Sequence, residues 1–527
     1  MFRSMITRRH FLEALASVGG TSLLMTGLEA LGMGMASAAT IPPPLRDGGR
    51  GKKIVVLGAG LAGLTAAYEL QRAGYQVSIV EARSIAGGRC QTARRGFALT
   101  ELGGITQRCG FDEGLYFNHG PWRIPYHHRS TLHYIKTFGI PVELVNNDND
   151  ASYIYSTRGK GRLASHPVRK MEIEADIRGR SAEILAKVVQ AGSLDRTFDA
   201  ADKDLFLAYL EAEGYLTGLD RDYAGTSGRG WRVKPGAGLH PGAPSTPYGL
   251  LDILHSNAWK TLSSVPDWDS PRTMFQPVGG MDALAKAFVD RLPGQIHYET
   301  RVEKIRQSDK GVEVSLVDQT GARSILAADW CVCTIPLSVL KTIDHGFAEP
   351  FATAMNGASY HPVGKIGLQM KSRFWEEKDW LYGGHVYTDD DDISLISMPS
   401  HGWFSQKGIL LGYYQGGGNA AKISALAPDQ RTEMALAFGE KIFHDYRTSF
   451  ESAISVAWHL IPYSLGGWAE WSDEARARDY PKLLQPDRRI YLAGEHLSYL
   501  GGWQAGAIES AWMQIDALHK RASSDSL

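Results

Sequence analysis

The apolar positions of the chain fall into runs whose period changes from strand-like to helix-like and back. Lys53-Ile54-Val55-Val56-Leu57 is a short β-branched run ending at glycine, which predicts a buried strand. Leu61, Leu64 and Tyr68 then recur at helical spacing, predicting a helix to about Ala73 that Gly74 stops. Gln76-Val77-Ser78-Ile79-Val80 predicts a second strand ending at Glu81. Further on, 301–305, 312–316 and 328–334 alternate as strands, with turns at Asp309-Lys310-Gly311 and Gln319-Thr320-Gly321, and predict a β-meander. Near the end, Arg489-Ile490-Tyr491-Leu492 predicts a strand running into Ala493-Gly494-Glu495. Gly501-Gly502-Trp503 then opens a predicted helix with Ile508, Trp512, Ile515 and Leu518 on one face. Residues 170–215 are rich in helix formers, whereas the Gly- and Pro-rich 223–247 predicts a long irregular loop.

The first 40 residues stand outside this pattern. Arg3, Arg8, Arg9 and His10 precede any acid, an apolar stretch interrupted by glycines follows, and Ala36-Ser37-Ala38-Ala39 offers a small-x-small cleavage site. Thr7-Arg8-Arg9-His10-Phe11-Leu12 resembles a twin-arginine export signal, although Glu13 stands where a lysine is usual. We expect a periplasmic or secreted protein. Ile41-Pro42-Pro43-Pro44 reads as a stiff linker. No later run has the unbroken apolar length of a membrane span, so no membrane contact is expected after cleavage.

Composition narrows the functional classes. Lys+Arg 56 against Asp+Glu 57 gives a formal net charge of −1, which argues against nucleic-acid binding. Four cysteines, Cys90, Cys109, Cys331 and Cys333, are too few for a disulfide scaffold and lack the partners of a zinc site, so no metal is expected. Glycine is in excess, 58 of 527 residues, against a usual share of about 7%.

Part of that excess carries chemistry. Gly58-Ala59-Gly60-Leu61-Ala62-Gly63 joins the first strand to its helix, and Glu81 ends the second strand. This βαβ unit sets a helix N-terminus against a pyrophosphate and a carboxylate against a ribose. Glu81-Ala82-Arg83 leads to Gly87-Gly88-Arg89, a second glycine turn with a cation. The whole arrangement resembles the FAD-binding start of the flavin amine oxidase family. Phe275–Leu284 and Ala493-Gly494-Glu495 match further signatures of that family. The resemblance implies that Val302 meets the adenine through its backbone, and that Glu495 and Trp503 close on the flavin. Some members attach the flavin through a cysteine just after the acid. Residues 495–500 contain none, so non-covalent FAD is expected.

Gly120-Pro121-Trp122-Arg123-Ile124-Pro125 resembles the G-P-M-R-[IL]-P segment of the L-amino-acid oxidase branch, with Trp122 in the methionine position. The resemblance implies that Arg123 clamps the substrate α-carboxylate, a role that suits the paired donors of a guanidinium. It aligns Tyr413 as a second carboxylate ligand, with Tyr414 as the alternative if the register is off by one. Gly502 and Trp503 fall beside the substrate amine, and Lys365 near the flavin, where its charge can assist oxygen. A structural role remains the alternative for each: an ion pair for Arg123, a core strand position for Tyr413, an exposed strand lysine for Lys365.

The reading is a mixed α/β flavin amine oxidase fold. A discontinuous Rossmann-like FAD-binding domain is expected over 50–104, 272–342 and 475–520, a mixed-sheet substrate-binding domain over 105–167 and 343–474, and a helical insertion over 168–271. The expected activity is oxidative deamination of L-amino acids, large apolar or aromatic ones first, to 2-oxo acids, ammonia and hydrogen peroxide. Its partners are an amino acid and O2, and a homodimer is compatible with the sequence. A monoamine or polyamine oxidase, an amino-acid dehydrogenase, a decarboxylating monooxygenase and a non-catalytic flavoprotein share most of these motifs.

Overall fold

The computed structural model describes residues 40–46, 49, 51–262 and 268–524. The export-signal reading falls on 1–39, outside the described residues.

The apolar runs at both ends of the chain meet in one parallel sheet. Its order is Ile296–His297, Gln76–Val80, Lys53–Leu57, Trp330–Cys333 and Ile490–Leu492. These strands read as continuous apolar runs because both faces are covered. Ile54 and Val56 pack with Leu64 and Leu70 of helix Leu61–Arg72 and with Ile508 and Trp512 of helix Gln504–Ser524. Val55 and Leu57 face the other way, onto Val302, Ile305 and Val314.

Two elements differ from the sequence expectation. The meander is Arg301–Gln307, Val312–Val317 and Arg323–Ala328, whereas Trp330–Cys333 belongs to the parallel sheet. The apolar stretch 325–333 is thus two strands divided at Asp329, which accepts from the Lys53 amide at 2.7 Å. The last helix starts at Gln504 rather than at Gly501, because Gly502 sits at φ 78° and turns the chain before the helix begins.

A seven-stranded mixed sheet forms the second layer system, in the order Phe450–Ala457, Val363–Met370, Gly408–Gly416, Leu395–Ser397, His385–Thr388, Tyr153–Tyr155 and Pro167–Arg169. Strand Val363–Met370 is buried at every residue. That leaves its one lysine, Lys365, almost wholly buried.

Helices Lys170–Gln190 and Ala200–Gly214 pack on each other within the expected insertion. The glycine- and proline-rich segment after them is pinned rather than loose. Buried Asp176 accepts from Tyr223 Oη at 2.8 Å, Arg229 Nε at 2.6 Å and the Tyr248 amide at 2.7 Å. Between those anchors Trp231–Val233 pairs with Ala243–Pro244. Among the described residues no helix is long and apolar enough to cross a membrane.

Candidate active site

A cavity of about 830 Å³ runs between the parallel sheet and the mixed sheet. At one end it is lined by the carboxyl edges of the parallel strands, the usual position for a ligand in such a sheet. Gly58 has φ 100°, and a Cβ on Gly63 would lie 1.9 Å from the Gly58 carbonyl oxygen, so both positions require glycine. The close approach brings Gly60, Leu61 and Ala62 to the cavity wall. Helix Leu61–Arg72 has no side-chain cap and no acid in its first turn, which leaves its N-terminal amides and dipole for an anion.

Glu81 is held at this end by the amides of Ala59 at 2.8 Å and Arg83 at 2.9 Å. Ala82 and Val302 line the same region. Arg83 donates to Ser464 Oγ at 2.6 Å and to the Gly88 carbonyl at 3.2 Å. Arg89 donates to Glu495 at 2.8 Å and to the Gly467 carbonyl at 2.7 Å. The Arg89–Glu495 pair therefore ties the second glycine turn to the C-terminal segment. The glycine turns, two arginines and the helix N-terminus as donors, with the carboxylate as acceptor, are a set that fits a dinucleotide.

The other end of the cavity holds Arg123, Lys365, Gly502 and Trp503. The Arg123 guanidinium lies over the Trp122 ring, 4.6 Å from its centroid. Lys365 Nζ donates to the Gly120 carbonyl at 2.5 Å and sits 4.5 Å from the centroid of the Tyr414 ring. Burial, and then the charge of Arg123, lower Lys365 from the ordinary lysine range to about 7. Aromatic rings make up the wall: Trp122, Tyr414, Trp458, Trp468 and Trp503. Nearby histidines are kept neutral. Burial takes His119, stacked on Trp458, down to about 3 and His128, edge-on to Trp503, down to about 4.

Tyr413 is not among these residues. Its side chain packs in the core with Ile366, Leu368 and Leu410, and Tyr414 reaches the cavity in its place. Ile366 pairs with Tyr413 but Gly367 pairs with Leu411, so Gly412 is an extra residue in its strand. Strict alternation from Ile409 and Leu411 points Tyr413 at the cavity side; the bulge shifts the phase and turns Tyr414 there instead.

Several cavity residues escaped the sequence reading. Thr334 Oγ1 donates to the Leu57 and Gly58 carbonyls at 2.9 and 3.2 Å. Its position just past the parallel strand Trp330–Cys333 is the signal that was there to be used. Trp458, Tyr463 and Ser464 come from the segment after Phe450–Ala457, which has no motif of its own.

The model of the flavin containing amine oxidoreductase family matches residues 61–514. The Bacillus subtilis (strain 168) protein YobN is 30% identical over 481 residues, covering 87% of this chain and 93% of that protein. Flavin-dependent L-tryptophan oxidase RebO of Lentzea aerocolonigenes is 27% identical over 486 residues, with 89% and 98% covered. Among solved structures, cyclohexylamine oxidase from Brevibacterium oxydans superposes with a TM-score of 0.60 at 15% identity, over 89% of this chain and 99% of that one.

Proposed function

The chain belongs to the flavin containing amine oxidoreductase family, and we propose that it is an FAD-dependent L-amino-acid oxidase, exported by the twin-arginine route. The observation that carries the substrate reading is Arg123. A guanidinium near Tyr414, in a cavity that Gly502 and Trp503 also line, supplies paired donors for an α-carboxylate. A substrate with no carboxylate makes no use of those paired donors.

The net reaction converts an L-amino acid, O2 and water into a 2-oxo acid, ammonia and hydrogen peroxide. When bound, FAD would supply the redox chemistry, a hydride acceptor toward Cα–H and a two-electron donor toward O2. The residues of the chain do the remaining work. Arg123 and the Tyr414 hydroxyl fix the carboxylate. The Gly502 carbonyl accepts from the amine. The aromatic wall excludes water while the C–H bond breaks. Lys365, while protonated, would put a positive charge in the cavity to favour electron transfer to oxygen. The neutral histidines supply no charged acid near pH 7, which suits a substrate that reacts as the free amine.

Incubating the holoenzyme with L-phenylalanine and O2 tests this reading. Equal yields of phenylpyruvate, ammonia and peroxide are expected. Phenylacetamide as product points instead to a decarboxylating monooxygenase, and a dye-dependent reaction without peroxide to a dehydrogenase.

The flavin is expected to be non-covalent, since 495–500 offers no thiol. Acid precipitation should release yellow FAD into the supernatant; colour retained by the pellet contradicts this.

The side-chain preference follows from the aromatic wall. Each buried CH₂ contributes about 0.8 kcal/mol and ring contacts add about 0.5–1.5 kcal/mol. L-Phe and L-Leu should therefore exceed L-Lys and L-Glu in kcat/KM. A preference for either charged substrate overturns it.

A further inference from the structure

We propose that Trp122 positions Arg123 for the substrate carboxylate: its indole face carries the guanidinium, and a side chain without a π face at this site lets the clamp drift. The inference rests on the reading that Arg123 receives a carboxylate.

Two cations share this one ring. The Arg123 guanidinium is 4.6 Å from the Trp122 centroid, and Lys365 Nζ is 5.7 Å from it. The two repel each other, and after burial this repulsion is the second cause that lowers the proton affinity of Lys365. The negative face of the indole quadrupole offsets part of that repulsion. The indole is well placed to hold them because it is itself held. His385 packs against it with ring centroids 5.0 Å apart, and Tyr414 meets it edge-on at 6.3 Å. His385 in turn is fixed by Ser397 Oγ at 2.9 Å and Asn147 Oδ1 at 3.2 Å.

Trp122 is also a partition. A second, smaller cavity of about 40 Å³ lies beyond it, lined by Trp122 together with His385, Ser397 and His401. A flexible aliphatic chain at 122 could collapse toward that space and take its support from Arg123, whereas a phenyl ring keeps a π face in place.

A double-mutant cycle separates positioning from simple wall-building. Trp122→Leu and Trp122→Phe are made in the wild-type and the Arg123→Ala holoenzymes, with flavin content as the folding control. Benzoate binding is read from the visible flavin spectrum, and steady-state kinetics are read with L-phenylalanine. Trp122→Leu is expected to weaken benzoate by about tenfold to 30-fold and to raise KM more than it lowers kcat. Trp122→Phe should stay within about threefold of wild type. In the Arg123→Ala background, Trp122→Leu should cost kcat/KM several-fold less than in the wild-type background, because the wall contribution remains but no guanidinium is left to position. Should Trp122→Leu lose its flavin, Trp122→Met carries the same comparison.

An equal cost of Trp122→Leu in both backgrounds makes Trp122 a wall and overturns the proposal. So does unchanged benzoate affinity in Trp122→Leu when Arg123→Ala has lost it. If Arg123→Ala itself still binds benzoate as wild type does, the carboxylate reading fails, and this inference fails with it.

Discussion

Arg123→Ala is expected to lower kcat/KM for the best L-amino acid by roughly 30-fold to several thousandfold, because truncating one partner of a desolvated, hydrogen-bonded charge pair costs about 2–5 kcal/mol. The carboxylate keeps its own desolvation cost and loses the cation that offset it. Flavin content should not change, since the residues proposed to hold the nucleotide are Arg83, Arg89, Glu81 and the first helix N-terminus, not Arg123. A second readout comes from Lys365, whose proton affinity the Arg123 charge helps to depress. In the variant, any pH-dependent limb governed by Lys365 should move upward from about 7. Wild-type efficiency in Arg123→Ala makes the residue structural.

Lys365→Met should slow the reaction of the reduced enzyme with O2 by about 10²-fold while leaving reduction by the amino acid nearly unchanged, the scale expected when one preorganised electrostatic donor is removed. The sign of the pH dependence follows from the direction of the shift. Lys365 is charged below about 7 and neutral above it. A step that uses its charge is therefore fastest on the acid side and falls as pH rises through that value. The methionine variant should show a flat oxygen profile across the same range. Rapid mixing of reduced enzyme with O2 between pH 6 and 8.5, as chosen conditions, measures both. An oxygen rate in the variant equal to wild type removes Lys365 from the oxygen step.

The legible parts of this molecule were those fixed by local geometry. The βαβ unit announced itself because Gly58 and Gly63 meet requirements that lie within a few residues of each other, a positive φ and the approach of helix to strand. Arg123 was legible because its neighbours in sequence carry the motif. Tyr413 and Tyr414 were not separable, because the bulge at Gly412 is set by pairing with Ile366 and Gly367, residues far away in the chain. Period-2 reasoning cannot detect an inserted residue before the partner strand is known. Trp458 and Ser464 reach the cavity only because Phe450–Ala457 pairs with Val363–Met370, a long-range contact with no local signature. The start of the last helix was misjudged for the opposite reason: a local feature, Gly502 at φ 78°, delays the helix beyond the apolar pattern that predicts it.

On the proposed function, this cavity recognises an amine through the carboxylate beside it. Comparing kcat/KM of the wild-type holoenzyme for L-phenylalanine and for 2-phenylethylamine, which differ only in that carboxylate, tests it most directly. L-Phenylalanine is expected to be preferred by about 30-fold or more, the lower bound set by one desolvated charge pair. Equal efficiency, or a preference for the amine, contradicts it and makes the protein an amine oxidase in the narrower sense.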